Sequence, residues 1–548
     1  MKKFLSFKTA IIPLLSLTVL AGCGGTGTNN NSVSEKESIV IDNTKTQLYI
    51  GNYDGDLGHA WLDEVAAKFV AENPDVQVIV NNEKELFGDA NLQTNMPGYN
   101  NDLYFLNGMT YSAFVAKGLL SDITTEVTTA LPGETKTIED KMNSTHKKYY
   151  KTSDNKYYAV PFFDAVFGAM YDVDLFEDEG FYFNTDGELF CDSTNTTKSA
   201  GPNGKTGDFD DGLPATFSQW KTMVDMMDET GVTPYVWTGK YEYYRQRFMT
   251  SIWADYEGKT NFDLNLSLNG TYTFPGDSEP TTITKENGYL LQNQKGKEYA
   301  LEYAKYIIEH NYYNSDSFDT INSHTMAQNT FLLSVMNPKI NRIGMILEGG
   351  WWENNAKTYM GTMATKFGDE YAFGNRRFGF MPTPKADDGS SNPGTTLISS
   401  TGNSVVCINA SSQQQELAKK FLRFAHTDES LRTFTRMTGS VRPYDYEITD
   451  ADRNEMSYFA NTMWDVYKSE DTQISYITLF QDNVFVSEPT FLGNTNWFWG
   501  SNVDGALYTD AFYEFSQDAD LTVSQYLAGM KDKYSKTEWD KVMSQYYN

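Results

Sequence analysis

Two kinds of residue stand out for the chemistry they could do: short acids on a glycine-rich turn, and tryptophans beside flexible backbone. In "YDGDLG", Asp54 and Asp56 alternate with Gly55 and precede Gly58. Short carboxylates on a strand-to-helix turn lie in the crevice at a sheet's carboxyl end, where they can accept from ligand hydroxyls. Capping the helix is the competing use. Trp351 and Trp352 follow a glycine pair. Neighbours on an extended chain face opposite sides, so one is expected in a core and the other as a flat platform. Trp237, Tyr241 and Tyr244 make a second aromatic group, and Trp497 and Trp499 alternate in "NTNWFWG". For both groups, a platform and a contact between lobes are equally open. Aromatic residues form 15% of the chain, with 36 Tyr, 34 Phe and 10 Trp. That surplus suits a sugar site. The apolar face of a pyranose packs on a ring, while carboxylates and amides bond its hydroxyl rim.

A further constellation lies in "GPNGKTGDFDDG", where Asn203, Asp208, Asp210 and Asp211 stand among glycines with Asp192 upstream. Oxygen ligands at alternating spacing in a tight loop suit a structural Ca²⁺. The loop lacks the acid series and closing Glu of an EF-hand, and a plain acidic surface loop is the other reading. No other cofactor is expected. The chain has no G-x-S-x-G elbow, no phosphate loop and no Cys/His zinc spacing, and only five His. Acids are too abundant for a glycosidase pair to stand out. The chain is therefore expected to bind rather than to catalyse.

The elements that must carry these residues alternate. "TQLYIG" reads as a strand, and a helix follows with Trp61, Val65 and Phe69 at spacing four, stopped at Asn73-Pro74. "VQVIV" and "DLYFL" are further strands, with branched apolar runs that suit a buried parallel sheet. "YYAVPFFDAVFGAMYDVDLF" is strand-like, "FSQWKTMVDMMDETG" is helical, and Tyr299, Tyr303 and Tyr306 share one helix face that reads as core. "SSQQQELAKKFLRFAHTDESLRTFTRM" reads as two helices, the first with a Ser411–Gln414 capping box and the second capped by Thr427. Alternating strands and helices predict an α/β fold with mainly parallel sheets.

The N-terminus adds a location. Lys2, Lys3 and Lys8 precede a mostly apolar run, Ile11 to Ala21. That run is too short for a bilayer span of ~20 residues and has the form of a secretory signal. Leu20-Ala21-Gly22-Cys23 resembles the lipobox of bacterial lipoproteins. The resemblance implies a signal peptide over 1–22 and acyl chains such as palmitate on Cys23, each buried methylene adding ~0.8 kcal/mol of membrane affinity. Residues 23–45 open as a polar tether. The expected location is the outer face of the cell membrane. Net charge is −29, which argues against nucleic acid and disfavours anionic ligands arriving by long-range attraction. Cys191 and Cys407 could pair or stay as buried thiols.

Taken in order, the segments resemble a known family. "GNYDGDLGHAWLDEVAAKFVAENPDVQV", "NDLYFLNGMTYSAFVAKGLLSDIT", "YYAVPFFDAVFGAMYDVDLF", "LPATFSQWKTMVDMMDETGVTPYVW", "RIGMILEGGWWENN" and "FGFMPTP…VRP" are similar to successive pieces of the extracellular solute-binding proteins of sugar ABC transporters, the maltodextrin-binding type. The resemblance covers most of residues 46–445. It implies a type II fold of two α/β lobes about a hinge and cleft, with 46–160 plus 385–440 in one lobe and 161–384 plus 441–548 in the other. It implies ligand contacts at Asn107 and Tyr111 after the third strand, and at Glu83. It places Asp164 at the cleft floor or in a hinge hydrogen bond, and Arg442 on ligand or locking the hinge. The expected protein is a monomeric, lipid-anchored receptor that takes a sugar, an oligosaccharide, to ABC permease subunits. The same fold binding another solute, a surface glycan-binding lipoprotein without a transporter, and a lipid-anchored glycosidase are the rivals.

Overall fold

The computed structural model describes residues 40–190, 194–479 and 496–547. Cys23, Cys191 and Asp192 lie outside the described residues. Residues 43–548 form one compact unit, and residues 40–42 before it hold no helix or strand.

Along the chain come β1 (Thr46–Tyr53), α1 (Ala60–Glu72), β2 (Val76–Glu83), β3 (Leu103–Leu106), α2 (Tyr111–Ala116), β4 (Ala159–Pro161) and β5 (Phe167–Asp172). Then follow α3 (Phe217–Glu229), β6 (Val232–Val236), α4 (Tyr243–Phe262), α5 (Lys295–Glu309), α6 (His324–Leu333), β7 (Arg342–Gly349) and α7 (Trp352–Phe367). The last elements needed here are β8 (Phe378–Met381), β9 (Thr395–Ser399), β10 (Val405–Ile408), α8 (Gln415–Phe424), α9 (Asp428–Thr438) and β11 (Thr472–Tyr476).

Two sheets organise the fold. The first has the order β2-β1-β3-β10-β4 and the second β8-β5-β7-β6. β1 runs parallel to β2 and β3, and β6 parallel to β7. β10, β4, β5 and β8 join antiparallel, because they are the strands by which the chain leaves one sheet or returns to it. In the first lobe, Trp61 of α1 wedges between Phe105, Phe162 and Phe434 of α9, with ring centroids 5.0–5.7 Å apart. The second sheet is buried on both faces. Phe167, Ala169 and Tyr171 of β5 join one core, and Val166 and Met170 join the other, the period-2 alternation of a strand. Tyr299 and Tyr303 pack on Phe217 and on each other, so that tyrosine face is core, while the Tyr306 hydroxyl reaches Asp225 at 2.7 Å.

The chain passes between the sheets at 162–166, at 382–404 and near 441. Isolated bridges tie these passes side by side: Asp164 with Val441, and Val166 with Ser399. Arg442 is fully buried beneath them. Its Nε donates to the Phe162 carbonyl at 2.7 Å and its Nη1 to the Ala425 carbonyl at 3.0 Å, and its Nη2 faces His426 Nε2 at 2.8 Å. Arg442 thus ties the crossings near 162 and 441 to the end of α8. Asp164 is likewise enclosed. Its carboxylate accepts from Ser399 Oγ, and burial raises it to about 6 despite that bond. Neither side chain reaches ligand space.

Candidate functional site

A cleft of about 1110 Å³ opens between the lobes. Its first-lobe wall is built from the loops that follow β1, β2 and β3. The turn after β1 is held by Asp54 N–H on the Glu83 carbonyl, 2.8 Å, and Gly58 N–H on the Asp54 carbonyl, 2.9 Å. The loops after β2 and β3 zip together through Asn107 N–H to Leu86 O, 3.0 Å, and Gly88 N–H to Gly108 O, 2.7 Å. That approach needs glycine, since a Cβ on Gly88 would meet the Met109 side chain at 2.5 Å. The zipper buries Leu86 and leaves the Phe87 ring, 42% exposed, on the cleft wall.

The facing wall comes from the start of α4, α6 and α7. Arg245 fixes the first of these: it pairs with Asp510 at 2.5 Å and donates to the Thr238 carbonyl at 2.9 Å. Tyr241 and Tyr243 then line the cleft, Tyr243 45% exposed. His324 and Thr325 open α6, and Asn354 and Asn355 lie in the first turn of α7.

Asp56 joins the two walls. Its carboxylate accepts from the Tyr53 hydroxyl at 2.9 Å and from Asn355 Nδ2 at 2.7 Å, and its carbonyl accepts from Asn354 Nδ2 at 2.8 Å. Burial raises the Asp56 carboxyl against these bonds and lowers His324 against the pull of Asp56. Glu348, at the end of β7, accepts from Gln328 Nε2 at 3.0 Å and Gly349 N–H at 3.1 Å, and burial pushes it up to about 8. Near neutral pH Glu348 is therefore held mostly as the neutral acid. Asp54 accepts from His59 Nδ1 at 2.8 Å on the exposed side of the turn.

The cleft thus gathers Asp54, Asp56, Asn107 and Tyr241 from the sequence candidates. Others lie elsewhere. Glu83 lines a separate small depression with Tyr99 and Tyr104. Tyr111 is buried, its hydroxyl bonded to the Tyr150 carbonyl and the Tyr158 N–H. Trp237 is core, boxed by Tyr313, Phe318 and Phe512. Trp352 is 0% exposed between Phe331, Phe378 and Phe459. Trp351 does face the opposite way, into the other core beside Phe167, but only 8% of it is exposed. Trp497 packs on Tyr534 and Trp539, and Trp499 on Trp253. Both indoles lie in a turn, each in a different core, rather than on one extended face. These rings are buried because each found a ring partner, which chain order does not announce. Tyr244 is buried against Phe167 as well.

In the acidic loop, Asn203 N–H donates to Asp210 at 3.1 Å, Asn203 Nδ2 to Asp208 at 2.7 Å, and Gly207 N–H to Asp211 at 2.7 Å. Burial, then the neighbouring Asp208, raises Asp210 to about 8. Among the described residues no group of three or more His, Cys, Asp or Glu is arranged to hold a metal ion. Cys407 is a buried free thiol. No helix among the described residues is long and apolar enough to cross a membrane.

Two α/β lobes, three tied crossings and a polar, ring-lined cleft define a type II solute-binding fold. The model of the bacterial extracellular solute-binding protein family matches residues 55–431, and the chain belongs to that family. RafE in complex with raffinose superposes with a TM-score of 0.51 at 14% identity, over 90% of this chain and 100% of that one. The solute receptor AcbH, described as preferring β-D-galactopyranose, gives 0.54 at 12% identity over 90% and 100%. A chitin oligosaccharide binding protein gives 0.53 at 13% over 91% and 100%. At these identities the likeness is one of fold. No curated protein matches the chain by sequence.

Proposed function

We propose that the chain is a lipid-anchored receptor that captures a saccharide, an oligosaccharide, in this cleft and delivers it to the permease subunits of an ABC transporter. The observation that carries the reading is the pair of exposed rings, Phe87 and Tyr243, offered by opposite lobes of a cleft whose lining also brings the carboxamides of Asn107, Asn354 and Asn355, the carboxylates of Asp54 and Asp56 and the hydroxyls of Thr325 and Thr358. Flat apolar faces with a polar rim match a pyranose. The volume of about 1110 Å³ is at the upper end of ligand pockets, which suits more than one sugar ring. RafE with raffinose and the chitin oligosaccharide binding protein support the same ligand class on this fold. Anchoring at Cys23 rests on the lipobox-like sequence, and the permease on family membership.

Calorimetry of the purified chain against di- to tetrasaccharides tests the reading. Binding in the micromolar range or tighter, about −8 kcal/mol, with the sugar recovered uncut, is the expected outcome. Shortened products would replace it with the glycosidase reading, and heat from no saccharide would remove it.

A further inference from the structure

The depression of about 220 Å³ that Glu83 lines adjoins the cleft, and the two share Glu85 and Phe87 in their linings. Phe87, one of the two exposed rings of the cleft, therefore stands where the spaces meet. The other walls of the depression come from the short helix Ala90–Asn95, from the Tyr99–Asn101 loop and from β3. Side chains alternate along an extended chain, and the lining follows that rule. Glu83 and Glu85 border the depression, while Lys84 between them borders the cleft alone. Asp89 is a third acid of the lining, and one of its oxygens caps the short helix by accepting from Leu92 N–H at 2.8 Å. Among the described residues Glu83 and Glu85 have no ion pair, and no Lys, Arg or His lines the depression.

Tyr104 is an observation independent of these acids. It lines the depression, is 1% exposed, and its hydroxyl meets no hydrogen-bond partner among the described residues. Its ring fits there because Gly51, opposite it on β1, carries no side chain. A Cβ on Gly51 would meet Tyr104 Cδ1 and Asn101 Nδ2 at 2.7 Å each. Asn101 in turn spends its carboxamide oxygen on Asn81 Nδ2 at 2.6 Å. A buried hydroxyl left unmatched is costly until a partner arrives. The ring of Tyr99, 44% exposed, borders the same space. Carboxylates, a tyrosine face and a phenol oxygen are together the partners that an organic ammonium takes: the first two attract its charge, and the oxygens accept its N–H groups. A metal ion is the poorer match, since no group of three or more acids among the described residues is arranged to close on one.

We propose that the saccharide carries a free amino group, as a glucosamine unit does, and that this depression holds its ammonium between Glu83, Glu85, Tyr99 and Tyr104. The space is smaller than the roughly 300–1,000 Å³ of a whole ligand site, so it takes one amino-bearing end while the rest of the chain lies on Phe87 and Tyr243 in the cleft. The net charge of −29 favours the arrival of such a ligand. The inference rests on the saccharide reading above.

The test uses calorimetry of the full-length chain against matched pairs: β-1,4-linked glucosamine oligomers of two to four units beside glucose oligomers of the same linkage and length, and glucosamine and galactosamine beside glucose and galactose. In at least one pair the amine should bind about tenfold or more tightly than its neutral partner. Glu83→Gln and Tyr104→Phe, which lie outside the cleft lining, should each reduce that ratio by about threefold or more and leave the neutral partner's affinity unchanged. Equal affinities within every pair, or a ratio that survives both substitutions, overturn the inference, and neutral saccharides that still bind leave the saccharide reading standing. Binding of no amino or neutral saccharide removes the saccharide reading and this inference with it. Should Tyr104→Phe fail to fold by circular dichroism, Glu83→Gln, whose side chain is exposed, decides.

Discussion

Trp352→Ala should lower stability by about 3–5 kcal/mol, because the indole fills the space between Phe331, Phe378 and Phe459. Thermal melting reads that loss. Tyr243→Ala and Phe87→Ala should leave melting nearly unchanged and weaken saccharide binding by about 1–3 kcal/mol each, if sugar stacking is comparable to base–aromatic stacking. Unchanged affinity in both would remove the platform assignment. At Glu348 the expected effect is on pH. Burial raises this carboxyl from 4.5 to about 8, so between those values the native chain holds a proton that the unfolded chain has released. Its contribution to stability therefore falls as pH rises through that window and is flat above it. Glu348→Gln cannot ionise, so the melting temperature of the variant minus that of the parent should grow from pH 4.5 to pH 8. A constant difference would contradict the assigned shift. That Asp54 and Asp56 line the cleft was legible in the sequence because a turn following a strand of an α/β sheet lies at the sheet's carboxyl end. Phe87 and Tyr243 were not, since an exposed ring and a buried one look alike until their neighbours in space are known. A large apolar residue in the polar loop "EKELFGD" was the available hint for Phe87.

Among elements, the two helices near the end of the matched region were well marked. Thr427 caps α9 by accepting from Ser430 N–H, as its place before "DESL" predicts. Ser411 does not cap α8. Its own N–H donates to Asn409 Oδ1, and the helix opens a few residues later at Gln415 without a side-chain cap. A local turn won over the capping box because Asn409 is buried and anchored by Met96 and Asn101, a tertiary fact. The junction of β7 and α7 carries a further expectation. Gly349 leaves room for the Trp351 ring, and a Cβ there would come within 2.3 Å of it. Gly349→Ala should therefore displace the indole and destabilise by about 1–3 kcal/mol, with a blue-shifted or quenched tryptophan emission changing alongside the melt. A variant that melts like the parent with unaltered emission would show that the ring moves aside freely.

At the scale of the whole molecule, Asp56 bonded to Asn354 and Asn355 ties the two walls of the cleft together without a ligand between them. Each such bond is worth about 0.5–1.5 kcal/mol, so Asn354→Ala with Asn355→Ala should shift the ligand-free chain toward the open form. Small-angle scattering should then report a larger radius of gyration, and ligand affinity should fall by the share of closed form lost. An unchanged radius would mean the lobes are held elsewhere. The alternation of strands and helices announced both lobes, whereas this contact joins residues about three hundred positions apart and left no trace in local sequence. The place of β10 has one more consequence. It lies between β3 and β4, yet it is made roughly 250 residues after β4. Until residue 408 emerges during secretion, two strands of the first sheet stay unpaired along one side, and such edges recruit other chains. Fragments ending before β10 should clump rather than fold, and maturation of the first lobe must wait for the second lobe's long excursion to be threaded through.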